Sequence, residues 1–182
     1  MREKVFTNLE FNDRNVHGLL KVEDIEDLNN IIPIFKELSR RLDYNFSNKT
    51  SIAAIAKECE TRCVEIVSNK GKSDNLTTNL YLVELKDGFE YASGKILEDI
   101  DAIIRLGRST KMHVIFYDVY NQSLPLTIEN QLRVKMQVIG SRTNNTKTLQ
   151  IAYAQKKKIS KGRFHEECRL DNILLDSTAI IK

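Results

Sequence analysis

The chain has 182 residues, of which 41% are hydrophobic and 29% charged, with two prolines and seven glycines. A chain of this length buries roughly 70% of its unfolded surface in one domain without disulfide or metal staples, and so little Pro and Gly leaves little room for a disordered linker. Lys and Arg number 28 against 25 Asp and Glu, and the resulting net charge of +3 does not by itself indicate nucleic-acid binding.

No segment approaches the roughly 20 apolar residues of a membrane span, and the opening MREKVFTNLEF lacks the apolar core of a signal peptide. A cytoplasmic protein without direct membrane insertion is expected, folded as one domain over residues 1–182. Cys59, Cys63 and Cys168 have neither the spacing nor the neighbouring histidine pair of a zinc site, so reduced thiols and no metal are expected.

Taken in chain order, residues 3–8 read as a short strand. From about 23 to 43, Ile25, Leu28, Ile32, Phe35, Leu38 and Leu42 recur at helical intervals. Pro33 interrupts this stretch at about 3 kcal/mol, which predicts a kink or a helix that begins near it. A second helix is expected from 51 to 67, capped by Thr50 or Ser51. LYLVEL, 80–85, reads as a buried strand, and Ile96, Ile100, Ile103 and Ile104 predict a helix over 94–107. KMHVIFYDV, 111–119, is a second buried strand, with His113 a core residue. LRVKMQVIG, 132–140, turns Val134, Met136 and Val138 inward. A short helix near 145–155 and two strand-like pieces at 163–168 and 173–181 complete the list. Strands alternating with helices indicate an α/β fold with a three-layer arrangement and a mostly parallel sheet.

Two stretches test for a phosphate-binding loop, GxxxxGK[ST] between a strand and a helix. Gly71-Lys72-Ser73 has the right tail, but the leading glycine falls on Ile66, and a helix precedes it where a strand should. It reads as a surface loop. DGFEYASGKI, 87–96, has the right flanks, yet Gly88 and Gly94 are separated by five residues and Ile96 replaces the hydroxyl. It reads as an ordinary strand–helix turn. On its own sequence the chain has no recognisable triphosphate cradle.

Several stretches, in order, resemble the FtsK/SpoIIIE-type translocase ATPase domain. IIPIFKELSRRLDYNF is similar to the helix carrying paired arginines, and LYLVELKDGFEYA to the second nucleotide motif of that family. IIRLGRSTKMHVIFYDVYNQ resembles the segment in which a helix ends in Gly-Arg-Ser before a strand and an Ala-Thr-Gln loop. IENQLRVKMQVIGSRTNNTKTL matches the next strand, and KGRFHEECRLDNILLDSTAII the closing hairpin. The resemblance covers nearly the whole chain, starting just downstream of where the family's phosphate loop and its helix would lie. It implies a RecA-like, P-loop NTPase-type core with a C-terminal hairpin, related to hexameric motors that move DNA in cell division and conjugation and to ATPases of type VII secretion.

The departures lie at the chemistry. The resemblance places the metal-linked aspartate on Val83, which cannot hold a magnesium shell, and the catalytic glutamate on Glu84. The sensor loop falls on Tyr117-Asp118-Val119, without its glutamine. Arg40 and Arg41 match arginines that reach a neighbouring subunit's site, where they would stabilise phosphoryl charge. On the residues alone, Glu84 reads as a solvated strand-end glutamate rather than a catalytic one, and Arg40 and Arg41 as surface ion pairs with Glu37. Arg105 and Arg108 suit a helix carboxyl end. Lys156, Lys157, Lys158, Lys161 and Arg163 form the densest positive stretch. They read as a solvated helix terminus or as contacts to nucleic-acid phosphates.

The expectation is therefore a degenerate translocase domain that does not hydrolyse ATP, with no cofactor unless another chain or segment completes an ATP/Mg²⁺ site. Its partner is a motor of the same family or its cargo, with self-association possible in such motors. The alternatives are a non-specific DNA-binding accessory of a mobile element and a fragment of an active translocase.

Overall fold

A central strand with a glycine pressed between its neighbours organises the molecule. In the computed structural model, which describes residues 16–71, 73, 75–85, 94–119, 124–140, 146–160 and 163–175 (backbone only for 155–160 and 163–166), β1 (His17–Lys21) lies between two parallel partners. A Cβ on Gly18 would stand 2.8 Å from both Ile115 Cδ1 and the Val134 carbonyl oxygen, so only glycine lets the three strands close up there.

The chain continues through α1 (Ile25–Leu42), β2 (Asn45–Ser47), α2 (Ile52–Ser68), β3 (Asn79–Glu84) and α3 (Gly94–Leu106). It closes with β4 (Met112–Asp118), α4 (Leu126–Glu129), β5 (Val134–Gly140), β6 (Lys147–Ser160) and β7 (Arg163–Leu175). The strands form one sheet in the order β2-β3-β4-β1-β5-β6-β7. The first five run parallel, and β6 and β7 add an antiparallel hairpin. From β1 the chain moves to β2 on one side, then returns through β3 and β4 to β5. Right-handed crossovers therefore place α1 on one face and α2, α3 and α4 on the other.

Two cores result. Leu28, Ile31, Phe35 and Leu38 of α1 bury against Leu20, Leu82, Ile115, Met136, Ile151 and Tyr153. On the other face Ile55, Cys59, Ile100, Ile103 and Ile128 bury against Leu19, Val83, Val114 and Phe116. The expected α/β class with a mixed, mostly parallel sheet and a C-terminal hairpin is present.

Four local expectations change. The first helix starts at Ile25, not near Pro33, and runs through the proline; the continuous apolar stripe Leu28, Ile31, Phe35 and Leu38 holds it on the sheet. Residues 147–160 are strand, not helix. Leu149, Ile151 and Tyr153 are buried at alternate positions, a period of two that β5 captures by pairing from Lys135 to Gly140. The two strand-like pieces near the carboxyl end are one strand, β7, as far as Leu175. β1 and β2 were not foreseen, being five and three residues long. The expected strand at 3–8 lies outside the described residues.

His113 is a core residue as expected. It is buried, its Nδ1 is 3.0 Å from the Val16 carbonyl oxygen, and its ring stacks on Tyr44. His17, buried beside it, accepts a hydrogen bond at Nδ1 from the Val114 N–H at 3.1 Å. Gly107 of the Gly-Arg-Ser turn is required because a Cβ there would enter the His17 ring.

Candidate functional site

In open α/β sheets ligands bind outside the carboxyl ends of the strands, where neighbouring connections leave on opposite faces. Here that point lies between β1, which leads into α1, and β4, which leads toward α4 on the other face. Lys21 and Asp118 are register partners at this edge, and the Val22 N–H donates to the Asp118 carbonyl oxygen at 3.1 Å. The Asp118 side chain is buried at the end of a central strand, in the segment where the resemblance places a sensor loop. Sequence reasoning treated that segment as a loss and missed the buried acid. The apolar run MHVIFY before it was the available signal for a strand end.

Glu84 stands one strand further out, the last residue of β3 and half-buried. It pairs in register with Tyr117, and the Leu85 N–H donates to the Tyr117 carbonyl oxygen at 2.8 Å. Burial, with Glu84 adding to it, raises the Tyr117 phenol above its ordinary pKa. Val83 points to the opposite face and is packed in the core beside α3, so that position holds no metal ligand. No group of His, Cys, Asp and Glu among the described residues forms a metal cluster.

The β1–α1 turn is Val22-Glu23-Asp24. Asp24 caps α1, accepting from the Glu26 N–H at 2.9 Å. Glu26 and Asp27 follow in the first turn. Asp27 is 2% exposed and takes the Lys147 ammonium from β6 at 2.7 Å, and this contact raises the lysine's pKa. The helix amino end that faces the crevice is therefore already satisfied by carboxylates.

The two arginines sit elsewhere. α1 runs antiparallel to the strands, so its last turn lies at the amino edge of the sheet, roughly 25 Å from the crevice by helix rise. Arg40 grips Glu37 through Nη2 at 2.7 Å and Nε at 3.0 Å, and Arg41 Nε reaches the same carboxylate at 3.2 Å. These bonds hold Glu37 well below its ordinary pKa, at about 2. Within one chain, Arg40 and Arg41 cannot meet Glu84. Arg105 pairs with Asp101 at 3.8 Å, an exposed contact along α3.

The basic stretch is not a helix terminus. Lys156, Lys157 and Lys158 belong to β6 and Arg163 to β7, and their register partners include Glu166, His165 and Phe164; Lys161 lies outside the described residues. Pairing with β5 ends at Ala152, so this part of the hairpin runs on as a two-stranded ribbon. Gly71 stands just past the carboxyl end of α2, at φ 80°, its N–H donating to the Ile66 carbonyl at 2.8 Å. Lys70, also left-handed, donates to Val67, and together they form a Schellman ending. Lys72 lies outside the described residues. Of the second near miss, residues 86–93 are likewise outside, while Gly94 and Lys95 begin α3.

No protein-family model matches the sequence, and no curated protein matches it. Solved structures do match in fold. The pCW3 conjugation coupling protein TcpA, in a monomer form with ATPγS, superposes at TM-score 0.51 with 14% identity over 71% of this chain and 50% of that one. The cytoplasmic domain of the Thermomonospora curvata type VII secretion ATPase EccC gives 0.52 with 13% identity over 69% of this chain and 21% of that one. The chain thus spans half or less of these proteins. The fold is thus shared with a conjugation coupling protein and a type VII secretion ATPase, proteins of the two kinds that the sequence resemblance names. No described helix is long and apolar enough to cross a membrane.

Proposed function

We propose that the chain is a non-hydrolysing module with a translocase-ATPase fold, acting by docking to a motor of the same fold or to that motor's cargo. The observation that carries this reading is the acidic β1–α1 turn. Where the central strand hands over to a helix, a phosphate would need free N–H groups and a lysine. It meets Glu23, Asp24, Glu26 and the buried Asp27 instead, and Lys147 is already engaged by Asp27. Val83 in the core supplies no metal ligand, and on this reading Glu84 has no nucleotide on which to act. Arg40 and Arg41, at the far edge and paired with Glu37, enter this reading only as a contact to a neighbouring subunit. On this reading the module takes no cofactor, and an ATP/Mg²⁺ site arises only if another chain or segment completes one.

The test is calorimetry with a non-hydrolysable ATP analogue, with and without Mg²⁺, on the wild type and Glu84→Gln. No heat of binding in any of the four titrations is expected. Micromolar, Mg²⁺-dependent binding would overturn the reading and point to residues 88–95 as an unorthodox phosphate loop.

The ribbon of β6 and β7 favours a second reading. Lys156, Lys157, Lys158 and Arg163 belong to the strands where the hairpin extends beyond β5, with Lys161 between them in sequence, a charge run suited to non-specific contact with DNA phosphates. Micromolar affinity for duplex DNA that disappears at high salt would support it.

A further inference from the structure

The two edges of the sheet end differently. β2 closes one edge with three residues, too few to template a further strand. β7 closes the other with thirteen, and among the described residues no strand lies on its outer side. Proline and β-bulges commonly blunt such an edge. β7 contains no proline, and the one shift in its register with β6 is at the turn, between Lys158 and Ser160.

Part of this edge belongs to a thin ribbon. β5 accompanies β6 only as far as Ala152. From Tyr153 to Ser160, β6 pairs with Arg163 to Arg169 of β7 and with no other described strand. A two-stranded ribbon is marginal in water, and a third strand stabilises it. Glu167 and Cys168 are exposed and Arg169 is half-buried. The Asp171 carboxylate accepts from Arg169 Nε at 3.1 Å and from the Tyr153 hydroxyl at 2.7 Å. This contact holds the guanidinium in place on the face that Glu167 shares by strand alternation.

We infer that the β7 edge pairs with the β7 edge of a second copy, antiparallel about a two-fold axis at Cys168, joining two sheets into one. That axis sets Glu167 of each copy opposite Arg169 of the other, and brings His165 and Asp171 into register in the same way. Unlike charges directly opposite stabilise an antiparallel pair, and like charges destabilise it. An axis at Glu167 or at Arg169 would set that residue against its own copy. An axis at Leu170 would match Arg169 with Asp171, but would leave Arg163 and Phe164 of the ribbon without a new partner. The axis at Cys168 spans 163–173 and covers the whole β7 side of the ribbon. The occupant is a second copy because an isologous contact requires a surface complementary to itself, and this charge pattern has that property. The inference is independent of the docking reading above.

The experiment follows the full chain by analytical ultracentrifugation and by crosslinking. Directly opposite residues in an antiparallel pair have Cα atoms roughly 4.5–5.5 Å apart, within disulfide range. Mild oxidation with copper phenanthroline should therefore join wild-type dimers through Cys168, and a short bismaleimide should give the same product. Cys168→Ser should abolish both. Glu167→Arg and Arg169→Glu should each weaken the dimer about tenfold or more, because each creates two like-charge pairs across the axis. Mixing the two variants should restore dimer of near wild-type affinity, since every introduced charge then meets its opposite. That rescue also demonstrates that both variants are folded, which circular dichroism verifies separately.

A monomer at the highest concentration loaded overturns the inference. So does a dimer that neither charge reversal weakens, a mixture of the two variants that fails to recover, or a crosslink that survives Cys168→Ser.

Discussion

Compare the amino end of α1 with the carboxyl end of α2. The first has the position a phosphate requires, directly after the central strand and facing the crevice at the carboxyl edge, but its residues are Glu23, Asp24, Glu26 and Asp27. The second has the residues, Gly71-Lys72-Ser73, but it follows a helix whose terminal carbonyls repel an anion. Its glycine is used to end that helix, not to open a cradle. A phosphate site needs both the donor end of a helix and the cationic loop, and here the two are divided between helices.

The largest expected perturbation reaches α1 through the strand that delivers it. His17 begins β1 and is fully buried; that burial, with His113 beside it, pushes its pKa down to about 3. Its Nδ1 accepts from the Val114 N–H, so a proton there would oppose donor to donor. The folded pKa is depressed below the unfolded value of 6.5, so this contribution is fully present above pH 6.5. It is lost as the pH falls from 6.5 toward 3, by up to about 1.4 kcal/mol per unit. Urea midpoints should fall steadily between about pH 7 and about pH 4, and His17→Gln should flatten the slope.

Next in size is the tether that holds the acidic end of α1 to β6. Lys147→Ala leaves the Asp27 carboxylate buried without its cation. Because the lysine side chain is 43% exposed, the expected loss is about 2 kcal/mol, below the range for a fully buried pair. Urea unfolding measures it, and Asp27→Asn in the same background should recover part of the loss.

Each terminus then has a cap whose removal sharpens the contrast. Asp24→Ala should cost about 1 kcal/mol, and Gly71→Ala, at φ 80°, about the same. Thermal denaturation checks both. Neither variant should gain affinity for ATP. The smallest effect is the most telling: Lys72→Ala and Ser73→Ala should leave stability and nucleotide titrations unchanged. Were the wild type to bind the ATP analogue, loss of that binding in either variant would return Gly71-Lys72-Ser73 to the site.

Much of this was legible along the chain. The buried strands at 79–84 and 112–118 and the helices at 52–68 and 94–106 follow from uninterrupted apolar runs and helical periodicity, and Ser51 was named among the caps. The short strands were not legible. HGLLK and NFS are too brief to carry a period, and they become strands because neighbours on the sheet supply the pairing. The error at 147–160 has the same root. Lys156, Lys157 and Lys158 hide the alternation of Leu149, Ile151 and Tyr153, which only the edge of β5 makes decisive. For the site, Glu84 was placed at a strand end and lies there, whereas Asp118 and the acidic turn became visible only when β1 was seen to be central.

By itself the sequence determined the α/β class and most of the regular elements, because these depend on contacts within a few residues. The tertiary structure alone decided that β1 lies between β4 and β5, which brings Lys21 beside Asp118. It also set Arg40 and Arg41 at the edge opposite Glu84. Those facts depend on strand order, and strand order is chosen by the handedness of crossovers and by which apolar faces find one another, information carried jointly by distant segments and by no one of them alone.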